Sequence, residues 1–213
     1  MASALATEVE RPALVRRGRV LSIVTLLYNS LEGIIAVIAG FAAGSVALVG
    51  FGVDSGIEVS ASAVALWRLA ADTDVARRAR AERLGYRLIG VLFFALAVYV
   101  AADATASLIG RDEPEASPLG IALAALSLVV MPYLASNKRR VGVALGSLAL
   151  TAESRQTSLC MYLSAILLCG LVLNAALGWW WADPVAALLM VPIIVREGIE
   201  GVRGEPPCAD ACH

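Results

Sequence analysis

A chain of 213 residues that is 59% hydrophobic and only 16% charged, with a mean hydropathy of +0.77, lies well above the roughly 45–50% apolar usage of soluble domains. Its formal net charge of -1 supplies no basic surface for nucleic acid, and that class of partner is excluded. The composition describes an all-α integral membrane protein folded as one helical bundle, with no stretch left over for a separate soluble domain.

The first residues carry Glu8 and Glu10 and no apolar core before Arg16. They do not read as a cleavable signal sequence, so residues 1–19 are expected to stay as a cytoplasmic N-terminal arm. Six apolar segments follow, near 20–41, 45–69, 87–110, 118–135, 143–177 and 183–200, each close to the ~20 residues that a helical crossing needs. The fifth is too long for a simple span. Its first turns, after Lys138-Arg139-Arg140, are expected to project below the membrane, with the crossing nearer 150–174.

Charge orients the bundle. Arg11, Arg16, Arg17 and Arg19 precede the first segment, Arg68, Arg77, Arg78, Arg80, Arg83 and Arg87 lie between the second and third, Lys138, Arg139 and Arg140 follow the fourth, and Arg196 and Arg203 end the sixth. The opposite connections hold Arg111 alone. Because Lys and Arg collect on the cytoplasmic side, the expectation is a transport-sized domain of six transmembrane helices over 20–200. Both termini are then cytoplasmic, 201–213 is a short cytoplasmic tail, and the protein is multi-pass in the plasma (inner) membrane. Trp179-Trp180-Trp181 then falls at the outer surface as an interfacial anchor. Gly40-x-x-x-Gly44 and Gly142-x-x-x-Gly146 allow close helix approach, and no convincing internal repeat is apparent.

The second segment carries Asp54 and Glu58 in its middle. Ionisable groups at that depth are costly and mark function, and the four-residue spacing sets both on one helical face. Asn29 and Glu32 share a face of the first helix. On the fifth, Glu153, Gln156 and Cys160 follow the i, i+3, i+7 rule, with Arg155 projecting away. Cys169 reads as a small packing residue. Asp54, Glu58, Gln156 and Cys160 give two carboxylates, an amide and a thiol, a donor count that suits a tetrahedral divalent ion such as zinc. The alternative is a buried polar network that fixes helix register. Against it, Glu32, Asp54, Glu58 and Glu153 have one basic partner in the membrane, Arg155, so protons or a metal cation must balance them. The tail Cys208-Ala-Asp-Ala-Cys212-His213 holds the single His. It offers a metal capture site, or else is a disordered end.

Ser45-Val46-Ala47-Leu48 followed by Asp54 and Glu58, the acid, amide and thiol at Glu153, Gln156 and Cys160, and Asp183-Pro184 at the start of the sixth helix together resemble the cation diffusion facilitator family of metal/proton antiporters. The resemblance covers roughly 20–200. It implies metal ligands at Asp54, Glu58, Gln156 and Cys160. Asn29, Glu32, Glu153 and Asp183 are placed behind them or on a proton path. It also implies homodimerisation, here through the membrane helices, because the family's C-terminal cytoplasmic domain is missing. Gln156 and Cys160 stand where relatives carry His and Asp, which favours a softer ion: Zn²⁺ first, with Cd²⁺, Hg²⁺, Co²⁺ or Mn²⁺ as alternatives, carried as cargo with no prosthetic group.

The implied activity is divalent cation efflux by alternating access, with protons exchanged for metal on the ligands. A proton or other-solute permease and a non-transporting accessory subunit are the alternatives. An enzyme is disfavoured by the lack of any intramembrane His or nucleophile-base pair.

Overall fold

The computed structural model describes residues 11–70 and 75–203, apart from the side chains of 68–86, 148 and 149. These residues form six α-helices: α1 (Arg11–Ala43), α2 (Val46–Ala70), α3 (Val75–Gly110), α4 (Pro118–Leu145), α5 (Leu148–Leu177) and α6 (Ala182–Arg203). No strand occurs among them. α1 to α5 are each long and apolar enough to cross a membrane. In α6 the apolar run is bounded by Asp183 and by Arg196 and Glu197, so it falls short on composition although its 22 residues span about 33 Å.

The polarity of the bundle is turned inside out. On α1 the outward stripe is Leu27, Leu31, Ile34, Ile38 and Phe41, all more than 60% exposed, while Ser22, Thr25, Asn29, Glu32 and Ala36 are buried. An apolar exterior over a polar interior is the arrangement a lipid solvent selects. α2 is the most enclosed helix: 72% of its most apolar stretch is buried, against 33–39% in the other four spans. α1 pairs with α2, α4 with α5 and α3 with α6, and the first two pairs join through α1 against α4 and α2 against α5. The α3–α6 pair leans on α2 and α5. Gly90 makes this closeness possible, since a Cβ there would lie 2.6 Å from the Val202 backbone nitrogen.

Two hairpins repeat each other, contrary to the sequence expectation. Gly40-x-x-x-Gly44-Ser45-x-Ala47-Leu48 recurs 102 residues later as Gly142-x-x-x-Gly146-Ser147-x-Ala149-Leu150. In each, the second glycine takes a left-handed φ, +64° at Gly44 and +61° at Gly146, which an L side chain adopts only with strain. The serine amide then bonds the first glycine's carbonyl at 2.9 Å in both copies. Its hydroxyl accepts from the third residue on, Leu48 at 3.1 Å and Leu150 at 3.4 Å, which caps the new helix. The repeat escaped detection because few positions outside these turns keep their residue types.

The copies are inverted. Arg17 near the start of α1 donates to Asn137 near the end of α4 at 2.9 Å, whereas Glu115, just before α4, bonds the carbonyl of Ala43 at the end of α1. The tip of one hairpin therefore lies at the opposite end of the bundle from the tip of the other. Trp179 and Trp181, stacked with centroids 5.0 Å apart, sit at the α1–α2 tip end, where Asn174 donates to the Pro114 carbonyl.

The expected fourth connection is corrected. α4 runs on through Lys138-Arg139-Arg140 to Leu145 and turns at Gly146, so the long fifth segment is the end of one helix and the start of the next. Arg139 and Arg140 are exposed, but Lys138 is fully buried.

Candidate functional site

Helical spacing turns Asp54 and Glu58 to the inner face of α2, and both are buried, at 4% and 1% exposure. α1 contributes Glu32, which accepts from Tyr28 at 3.1 Å and from Ser55 of α2 at 3.2 Å. From α5, the Cys160 thiol lies beside Glu58 and within electrostatic reach of Asp54 and Glu32. Ser127 of α4 faces the same space, near Tyr28, Glu32 and Cys160. Four helices thus converge on one polar pocket at mid-bundle.

Several buried polar atoms have no hydrogen-bond partner: Glu58 Oε2, both amide atoms of Asn29, Ser127 Oγ and Gln156 Nε2. A buried polar group left unpaired is costly, and each such atom calls for a further partner.

Toward the α4–α5 tip the pocket is closed by an ionic cluster that the sequence reading missed. Lys138 Nζ lies 2.8 Å from Glu153 Oε1 and 4.0 Å from Glu58 Oε1, and donates to Thr157 Oγ1 at 2.9 Å. Glu153 also accepts from Ser22 of α1 at 2.7 Å and from Ser62 of α2 at 2.9 Å. Thr157 donates to Glu58 Oε1 at 2.5 Å. Donors from α1, α2 and α4 therefore meet one carboxylate on α5. The expected balancing cation, Arg155, instead pairs with Glu200 of α6 at 2.9 Å on the exposed surface, and the buried basic partner is Lys138. Its signal was present in the sequence: Ser127, Met131, Leu134, Lys138, Val141 and Leu145 form one buried stripe of α4, at the helical period.

The remaining expected residues divide by place. Gln156 is half-buried beside the pocket. Glu153 is engaged in the cluster, one turn from Gln156. Asp183 stands apart, accepting from Ser45 at 2.5 Å and from the Ala47 amide at 3.4 Å. It thereby caps α2 about 13 Å along the helix from Asp54. Cys169 is exposed on the outer face of α5 rather than packed. Cys208, Cys212 and His213 lie outside the described residues. Among those described, no three His, Cys, Asp or Glu side chains are drawn together tightly enough to grip a metal ion in this conformation; Glu58 is held toward Thr157 and Lys138.

Residues 22–203 match the cation efflux transmembrane domain. An uncharacterized transporter of Synechocystis sp. is 28% identical over 151 residues, covering 68% of this chain and 49% of the relative. The chain thus spans about half the length of the curated relative it matches.

Proposed function

From its membership of the cation efflux family, to which this chain belongs, we propose that it is a secondary transporter that carries a divalent metal cation across the membrane. The observation that carries this reading is the charge balance of the core. Glu32, Asp54, Glu58 and Glu153 are all buried, and Lys138 is the one buried basic residue among those described. An uncompensated carboxylate in lipid is costly, so a cation or protons must complete the pocket.

Asp54, Glu58, Gln156 and Cys160 are the ligands in this proposal. Asn29, Glu32 and Ser127 stand behind them, and Glu153 closes the inner end. Oxygen donors with a thiol suit zinc and softer ions. Ligands must lose protons to bind metal, which supports proton-coupled antiport. The same reading makes the protein multi-pass in the plasma membrane with both termini cytoplasmic, and homodimeric through its membrane helices.

The test is Zn²⁺ and Cd²⁺ flux in proteoliposomes. Asp54→Ala and Glu58→Ala are expected to abolish it, and parental flux in both would overturn the assignment. A proton permease is the second reading, favoured by the chain of acids from Glu32 through Glu58 to Glu153. Calorimetry separates the two, because a relay binds no metal saturably.

A further inference from the structure

The inverted repeat places Gln156 and Cys160 at the positions of Asp54 and Glu58, and Thr157 at that of Ser55, 102 residues apart. The pocket therefore sits where the two copies cross. The ends on either side of it are related by the same offset, and their side chains differ in kind. At the end nearer the N-terminus the closing residues are Ser22, Lys138 and Glu153, bonded as a cluster. Their counterparts at the other end are Ala124, Ala36 and Phe51, all at 0% exposure and all part of the apolar core. Ser62, which donates to Glu153, has its counterpart in Ser164, whose hydroxyl turns back to the Cys160 carbonyl of its own helix.

We propose that these are two gates of unlike chemistry. Lys138 with Glu153 forms an ionic clasp at the N-terminal side, and Phe51 forms an apolar plug at the opposite side. The proposal rests on the transport reading and adds which residues admit the cation from each side. An ionic clasp opens by exchanging partners for water or for an arriving cation, since its charges regain solvation. Glu58 ties that event to the pocket: one of its oxygens is 2.5 Å from Thr157 inside the clasp and the other is free. A cation that draws Glu58 away removes one strut of the clasp. The plug has no such exchange and opens only by moving Phe51 out of a filled core, a bistable step of the kind that close packing imposes. Inverted copies with a midplane site are suited to opening one end at a time.

Cys160, buried in the pocket, reports which end is open. With Cys169, Cys208 and Cys212 replaced by Ala, alkylation of Cys160 by a membrane-impermeant thiol reagent is measured in inside-out and right-side-out vesicles. Lys138→Met is expected to raise labelling about tenfold from the N-terminal side only, as a closed state gives up population to an open one. Phe51→Ala is expected to do so from the other side only, and Lys138→Arg, which keeps the charge, to label like the parent. Should Lys138→Met fail to fold, Lys138→Met/Glu153→Gln leaves neither member of the pair charged and carries the same expectation. Labelling that rises from the same side in both variants, or in neither, overturns the gates even if Asp54-dependent Zn²⁺ flux is intact. Sided labelling in a protein that moves no Zn²⁺ would uphold the gates and remove the transport reading.

Discussion

Lys138 Nζ lies 2.8 Å from Glu153 Oε1, and neither residue is more than 2% exposed. The two belong to consecutive helices, α4 and α5, and meet beyond the turn at Gly146. Ser22 and Ser62 complete the carboxylate from α1 and α2. The whole four-helix unit is therefore tied at one point near its end.

Removing one member of that pair strands the other. Breaking a buried ion pair from one side costs about 3–5 kcal/mol, because a lone charge stays buried. Lys138→Met is therefore expected to lower the melting temperature in detergent markedly. Lys138→Met/Glu153→Gln should recover much of the loss, as the remaining amide can still meet Ser22 and Ser62. Equal melting temperatures for the single and double variants would mean that the pair is not the source of the effect.

The pair also shows what the sequence makes legible. Hydropathy locates the apolar part of each helix, since a lipid solvent demands long apolar runs, but it misplaces the turn between α4 and α5, and acid spacing alone locates Asp54 and Glu58. Lys138 was hidden by its neighbours: Lys138-Arg139-Arg140 resembles a cytoplasmic loop, and only the buried stripe of α4 separates the inward Lys138 from the exposed arginines. Hydroxyl partners such as Ser22, Ser62, Ser127 and Thr157 carry no signal of their own, because a serine in a membrane helix commonly bonds its own backbone, as Ser30 does to Leu26. The inverted repeat survives in sequence mainly at the two turns, where the geometry demands Gly and Ser.

That geometry supplies a packing prediction. A Cβ on Gly40 would lie 2.8 Å from the Val49 amide nitrogen, and one on Gly142 would lie 3.0 Å from the Thr151 amide nitrogen. Backbone cannot yield there as a side chain can, and overpacking costs about 1–3 kcal/mol. Gly40→Ala and Gly142→Ala are each expected to lower thermal stability in detergent by a similar amount. A neutral result at one position would show that its hairpin opens more easily than its repeat.

Asp54→Asn is expected to separate function from folding. It removes a buried charge at constant shape, and a buried carboxylate is a burden to stability rather than a support. Melting temperature should hold or rise, while Zn²⁺ affinity falls by at least about tenfold, the effect of losing a charged donor worth about 1.5–3 kcal/mol. A loss of stability matched to the loss of binding would instead make Asp54 a structural residue.

Cys160 carries the selectivity prediction. Its thiol is the one soft donor facing Asp54 and Glu58, and soft donors favour soft ions. Cys160→Asp should move preference from Cd²⁺ toward Zn²⁺ and Mn²⁺, read as the ratio of calorimetric affinities. An unchanged ratio would place the sulfur outside the coordination sphere.

The pH dependence follows from the same donors. With Asp54, Glu58 and Cys160 as the proposed ligands, metal binding would require the first two as carboxylates and the third as thiolate, so each bound ion would displace whatever protons those groups hold. Acidification supplies the competitor, and apparent Zn²⁺ affinity is therefore expected to fall as pH falls and to rise as pH rises. If protons are the exchanged species, an outwardly held acidic bath should drive cation movement toward the acid side, and a protonophore should weaken that dependence on the gradient. Cys160→Ser and Glu58→Gln each remove one proposed proton-exchanging ligand and should each flatten the affinity profile. The two variants thus report different groups in one measurement. A profile insensitive to both would place the exchanged protons outside the ligand set.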